Sequence, residues 1–293
     1  EAASNILIVI DNTANWGTAF TAEMAALASS IADLDDSSIS LGLMMYTEAG
    51  GGNANTEGGY IRAAIRPMDS ETKQLYRNLV ISFDKNADRS NEGRLGLVMS
   101  EADRYFSGTQ AYAGYNTSKR DYRGNSIDGL PESNAVYSLP DNAFASETDR
   151  TYDSPVGANG CQKNFVIFLS NGKPGVDANA NKTAEEHLRA VGGDAATTQV
   201  PLVPSGYQDD VADEWSRYLA NKATRRVTTY IIDVVPTQAG RYSSDYQALL
   251  KSMAAQGQGG YFNVGSAAAN DVGLKIQAAL GAIFGEIGAV NSV

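Results

Sequence analysis

Cysteine and histidine are almost missing from this sequence; each occurs once, as Cys161 and His187. A zinc site of cysteines and histidines needs four such ligands, so none can be built. No disulfide can close within the chain. A cysteine or serine nucleophile would have to take its base from His187, which lies in the polar segment Thr183-Ala-Glu-Glu-His-Leu-Arg189. That segment reads as an exposed helix and its histidine as solvated, with no apolar wall or base to tune it. Positive charge is also short, with 23 Lys and Arg against 34 Asp and Glu and a net charge of −11. Phosphates would be repelled, which excludes a general nucleic-acid binder and favours a soluble protein able to hold cations. No apolar run reaches the roughly 18 to 20 residues that cross a bilayer, so no membrane span is expected. Glu1-Ala-Ala-Ser4 lacks the basic and apolar regions of a signal peptide. No Gly-x-Gly-x-x-Gly or P-loop follows a strand, so nothing supports nucleotide binding. No Arg-Gly-Asp tripeptide is present, which removes integrin capture by that motif.

What is there describes a folded domain. Of 293 residues, 43% are hydrophobic and 19% charged, enough for a real core and unlike a disordered chain or a fibre. The 29 glycines predict tight turns and long loops. Asn5-Ile-Leu-Ile-Val-Ile10 and Lys163-Asn-Phe-Val-Ile-Phe-Leu169 are continuous apolar runs, the pattern of strands covered on both faces in a parallel sheet. Strands are also expected over 40–46, 60–66, 227–235 and 260–264. Helical spacing marks 18–32, 70–82, 94–106, 209–223, 243–256 and 270–290. In the last, Val272, Ile276, Leu280, Ile283 and Ile287 form one stripe. The alternation predicts a doubly wound α/β fold in a single domain, 1–293. Two long insertions interrupt it, about 107–160 and 172–205, placed on the carboxyl-end face of the sheet or at its edge. The first is rich in tyrosine and reads equally as a binding surface or as a loop that packs its rings on its own core.

In such folds ligands gather at the carboxyl ends of the strands. The first strand ends in Asp11-Asn-Thr13-Ala-Asn15 and the fourth in Ser170-Asn171-Gly-Lys-Pro174. Oxygen-bearing side chains at alternate positions suit a hard cation, Ca²⁺ or Mg²⁺. Asp11 and Thr13 suit equally well the capping of the following helix. Asp84-Lys-Asn86-Ala-Asp88 and Asp177-Ala-Asn179-Ala-Asn181 repeat the alternate-oxygen spacing of calcium loops. They lack the glycine and bidentate glutamate of an EF-hand, and Asx-rich turns also form for backbone reasons alone. A metal-dependent hydrolase built on Asp11 is a further reading, weakened because Asn171 and Lys173 stand where a second acid would be needed. Cys161 reads as a small buried residue or as the partner of a cysteine outside this chain.

Asp-x-Ser-x-Ser after the first apolar strand is the metal-ion-dependent adhesion site of von Willebrand factor A domains, completed by a later Thr and an Asp-Gly. Asp11, Thr13 and Asn15 stand at the first motif and Asn171-Gly172 at the last. Cys161-Gln-Lys-Asn-Phe-Val-Ile-Phe-Leu-Ser-Asn-Gly-Lys-Pro174 resembles a segment of the PilC/PilY-type proteins, the type IV pilus tip-associated adhesins. Asp209–Ala212, Val227–Ile232, Gly259–Phe262 and Leu280–Ser292 are similar to the same family, in the same order along the chain. The resemblance implies a non-enzymatic, exported adhesion or assembly module at the cell surface or pilus tip. Its partners would be minor pilus subunits, other copies of itself or a host or surface receptor. A self-assembling subunit of an extracellular filament is the alternative. A β-propeller usually follows the A domain in the family, so the resemblance implies that the chain is the N-terminal part of a larger protein or a processed piece of one. Alignment on Glu101–Phe106 puts the expected metal-site Thr at Gly93. With Asn15 and Asn171 also changed, one of two carboxylates is lost and cation dependence is expected to be weakened or absent. Asp233 at the end of the fifth strand is a candidate supporting acid.

Overall fold

The structure is a computed structural model that describes residues 3–13, 19–34, 38–49, 54–91, 93–158, 160–234, 243–265 and 269–291. The side chains of 198, 269, 270 and 291 stand outside that description. A continuous apolar run is stable only where both faces of a strand are covered. Accordingly β1 (Ser4–Ile10) and β4 (Asn164–Asn171) lie side by side at the middle of the sheet with every residue buried. With β2 (Ile39–Tyr46), β3 (Gly59–Pro67), β5 (Val227–Val234) and β6 (Gln258–Asn263) they form one sheet in the order β3-β2-β1-β4-β5-β6. All pairs are parallel except β2 with β3. Ile10 is level with Met45 and Leu169, so β1, β2 and β4 end together.

The pleat sends alternate residues to two cores. Leu7, Val9, Val166 and Phe168 meet α3 (Leu95–Ser107), α5 (Ala178–Ala190), α6 (Ala212–Asn221) and α7 (Ser244–Gln256). Ile6, Ile8, Ile10, Ile167 and Leu169 meet α1 (Phe20–Ala32), α2 (Ser70–Ser82) and α8 (Ala269–Asn291). This is the doubly wound, mostly parallel α/β architecture expected from the alternation. On α8 the expected stripe, Val272 to Ile287, is the buried one. One expectation changes here. Asp271–Val290 has a mean hydropathy of 1.3 and is long and apolar enough to cross a membrane, although 33% of it is buried against the domain. Its isoleucines, leucines, valines and phenylalanine are spaced by alanine and glycine, so a search for a continuous bulky run passes over it.

Segment 172–205 carries the helix α5. Asp177 caps α5, accepting from the Ala180 amide at 2.8 Å, and Ala180, Ala184 and Leu188 bury one stripe of it on the α3 side. Two of those three are alanines, so the stripe is faint in a sequence otherwise rich in Asn, Lys and Glu. The expected helix 209–223 begins three residues late, at Ala212, because Asp210 turns back to accept from the Ala212 amide at 3.0 Å.

The insertion 107–160 runs along the β3 rim, carries the short α4 (Pro131–Tyr137), and packs its rings inward. Tyr122, Tyr137, Phe144 and Tyr152 are buried, and Phe144 stacks on Tyr152 at 4.6 Å. An edge strand needs partners for its outward backbone groups. On β3 these come from the insertion and the helices. The Asp121 amide donates to the Ile61 carbonyl at 2.9 Å, and Asp121 Oδ2 accepts from the Ala64 amide at 2.7 Å. The Tyr105 hydroxyl accepts from the Ile65 amide at 2.8 Å, and the Tyr76 hydroxyl donates to the Ala64 carbonyl.

Candidate functional site

Because β1 and β4 end together, Asp11 emerges beside Asn171. The Asp11 carboxylate is buried and its oxygens are engaged. Oδ1 accepts from the Thr13 amide at 3.0 Å and the Thr13 hydroxyl at 2.7 Å, and Oδ2 accepts from the Asn171 amide at 3.0 Å. Burial raises its pKa above the usual carboxylate range, and those three bonds pull back against it. Gly93 sits where the alignment placed the missing Thr. A Cβ there would lie 3.0 Å from Thr13 Cγ2 and 3.1 Å from Pro174 Cβ, so the space holds carbon rather than a hydroxyl. Asn15 lies outside the described residues. Asp233 Oδ2 accepts from the Tyr261 hydroxyl at 2.6 Å, on the β6 side of the sheet.

Three residues at this face escaped the sequence reading. Asn12 copies a strand backbone. Its Oδ1 accepts from the Tyr46 amide at 2.8 Å, while Nδ2 donates to the carbonyls of Tyr46 and Asp88 at 3.0 and 2.9 Å. Glu23 on α1 is buried with Oε1 unpartnered among the described residues, and burial together with the Asp11 charge pushes its carboxyl well above the usual range. Tyr246 of α7 meets Ser170 Oγ at 3.2 Å, and burial and Asp11 raise its hydroxyl far above the ordinary value. A first-turn glutamate and a lone helical tyrosine look like ordinary surface residues in a sequence; nothing local marks them as buried.

The motif resemblance raises a divalent cation at Asp11, and the described donors do not suit one. A single carboxylate is present with both oxygens already accepting N–H or O–H bonds, the Gly93 position offers no oxygen, and no group of three acidic or histidine side chains converges among the described residues.

The two acidic loops have other occupations. Asp84 Oδ1 closes a turn on the amides of Asn86 and Ala87, both at 2.8 Å. Asp88 Oδ2 accepts from the Asp84 amide at 2.9 Å. Asp88 Oδ1 takes Lys119 Nζ at 2.9 Å, and the same ammonium reaches Glu48 Oε2 at 3.1 Å and the Ala87 carbonyl at 2.7 Å. An ammonium from the insertion thus fills the oxygen cluster where a cation loop was expected. Asp177 caps α5 and pairs with Arg94 at 3.3 Å, while Asn179 and Asn181 lie within the helix, where alternate residues diverge.

His187 differs from its expectation as well. It is half-buried, with Nδ1 3.0 Å from Ser100 Oγ and its ring edge-on to Tyr112 at 4.5 Å. Burial and the nearby Arg104 charge lower its pKa to about 4. A folded value below the unfolded value near 6.5 means that its stabilising contribution is whole above that pH and is lost as pH falls towards 4. A histidine titration by NMR should find the imidazole still neutral at pH 5.5; a midpoint above 6 would show a solvated ring. Cys161 is exposed and forms no disulfide within the chain.

No family profile matches the sequence, and no curated protein matches it. Among solved structures the chain is similar to the D319A mutant of the PilB minor pilin from Streptococcus sanguinis, at a TM-score of 0.52 and 8% identity, covering 99% of this chain and 63% of that one. Proximal thread matrix protein 1 from the mussel byssus gives 0.45 and 9% over 96% and 48%. The pilus adhesin SpaC from Lactobacillus rhamnosus GG gives 0.43 and 9% over 98% and 30%. The chain therefore spans about half the length of the thread protein and under two thirds of the pilin. At such identities the likeness is one of fold.

Proposed function

We propose that this chain is a non-enzymatic adhesion or assembly module of an exported surface structure, working by protein contacts at the carboxyl-end face of the sheet and along the insertion, without a bound cation. The observation that carries the reading is the Asp11 carboxylate. Its oxygens staple Thr13 and the end of β4, so the residue acts as a joint between strands rather than as a ligand or nucleophile. The order of the segments resembling the pilus tip-associated adhesins supports a pilus setting, with minor pilus subunits or further copies of this chain as partners. The same staple counts against a hydrolase at Asp11, since an oxygen committed to an amide and a hydroxyl is a poor nucleophile.

Calorimetric titration of Ca²⁺ and Mg²⁺ into chelator-treated protein tests this. No heat is expected at millimolar ion, whereas a Gly93→Thr/Asn171→Asp variant, which supplies a hydroxyl and a second carboxylate, should gain Mg²⁺ binding. Heat in the unaltered chain that disappears in Asp11→Ala would defeat the cation-free reading.

A further inference from the structure

The cluster that holds Lys119 contains the parts of a condensation reaction. Its Nζ lies 2.9 Å from Asp88 Oδ1 and 3.1 and 3.2 Å from the two oxygens of Glu48. The three side chains are 12%, 0% and 4% exposed. Each is held in place. The Ala87 carbonyl accepts from Nζ at 2.7 Å, the Tyr60 hydroxyl donates to Glu48 Oε1 at 3.3 Å, and the Tyr137 hydroxyl donates to the Lys119 carbonyl. The Asp84 amide donates to Asp88 Oδ2 at 2.9 Å, and the Arg62 guanidinium stands 3.6 Å from Oδ1, so negative charge growing on the Asp88 carboxyl would meet donors already aimed at it.

We propose that Lys119 and Asp88 join in an intramolecular isopeptide bond, with Glu48 as the proton carrier. Burial favours the neutral over the charged pair, since two ions out of water are costly and an amide is not. Fixed geometry replaces the activation that amide formation in water requires. Glu48 takes a proton from the ammonium, and the freed amine attacks Asp88 Cγ. The oxyanion forms on Oδ2 against the Asp84 N–H. Glu48 delivers to Oδ1 the two protons shed by nitrogen in turn, and Oδ1 leaves as water. One N–C bond forms and one C–O bond breaks; an ammonium and a carboxylate become an amide and one water, with nothing oxidised or reduced. The bond would tie the insertion to the loop after α2 covalently, in a chain that cannot make an internal disulfide.

Intact mass spectrometry of the purified full chain decides it. The expected mass is lower than that of the sequence by one water, about 18 Da, with a branched peptide joining residues 88 and 119 after digestion. Glu48→Gln should fold and show the full mass, as should Lys119→Arg. A full mass for the unaltered chain after prolonged incubation, or a loss of water that persists in Lys119→Arg, would overturn the proposal.

Discussion

Replacing Asp121 with alanine should destabilise the domain by about 3–5 kcal/mol, the cost of stranding a buried charge. Asp121 is fully buried and binds Arg66 through both oxygens, NH1 to Oδ2 at 2.7 Å and NH2 to Oδ1 at 3.2 Å. Asn142 Nδ2 donates to its Oδ1 at 2.7 Å and the Ala64 amide to its Oδ2 at 2.7 Å. Truncation therefore orphans a guanidinium, a side-chain amide and a strand N–H together. Among the described residues the guanidinium keeps the Pro140 carbonyl at 2.6 Å and the Tyr76 hydroxyl at 2.9 Å. Urea denaturation measures the loss. The double variant Arg66→Met/Asp121→Leu should recover much of it, because a packed apolar pair can equal a buried ion pair. A loss below about 1 kcal/mol would place Asp121 among exposed pairs and undo the account of the β3 rim.

The second large effect is expected at Glu101. This carboxylate sits in α3 with no exposure and gathers the start of the insertion around it. It accepts from the amides of Tyr112, Ala113 and Gly114 at 3.2, 3.0 and 3.1 Å, and from the Tyr152 hydroxyl at 2.6 Å. Each buried donor left without an acceptor costs about 1–3 kcal/mol, so Glu101→Ala should lose at least about 3 kcal/mol once partial relaxation is allowed for. The loss should be local before it is global. Limited proteolysis is expected to cut first near residues 108–116 in the variant and not in the unaltered chain. Identical cleavage patterns would mean that the insertion is held by its rings alone.

The layered sheet could be read from the sequence because its signals are repeated. Asn5–Ile10 and Lys163–Leu169 need cover on both faces, and the stripe from Val272 to Ile287 states which side of α8 is inward. What escaped depended on contacts between distant segments. Asp88 is one of several acids in a polar loop until Lys119 arrives from 31 positions away. His187 looks solvated until Ser100 and Tyr112 close on it. The α5 stripe, being mostly alanine, carries little hydrophobic signal, and Asp177 reads as a loop acid although it is a helix cap.

The covered β3 rim sets the valency of the sheet. Strand-by-strand growth needs two free rims per molecule, one to accept a neighbour and one to offer. Here one rim is stopped by Asp121, Tyr105 and Tyr76, and among the described residues no strand lies beyond β6 at the other. A neighbour's strand therefore cannot be added on the β3 side. Growth of this sheet strand by strand in both directions is closed off, because among the described residues the β3 rim has no backbone groups left to offer a neighbour.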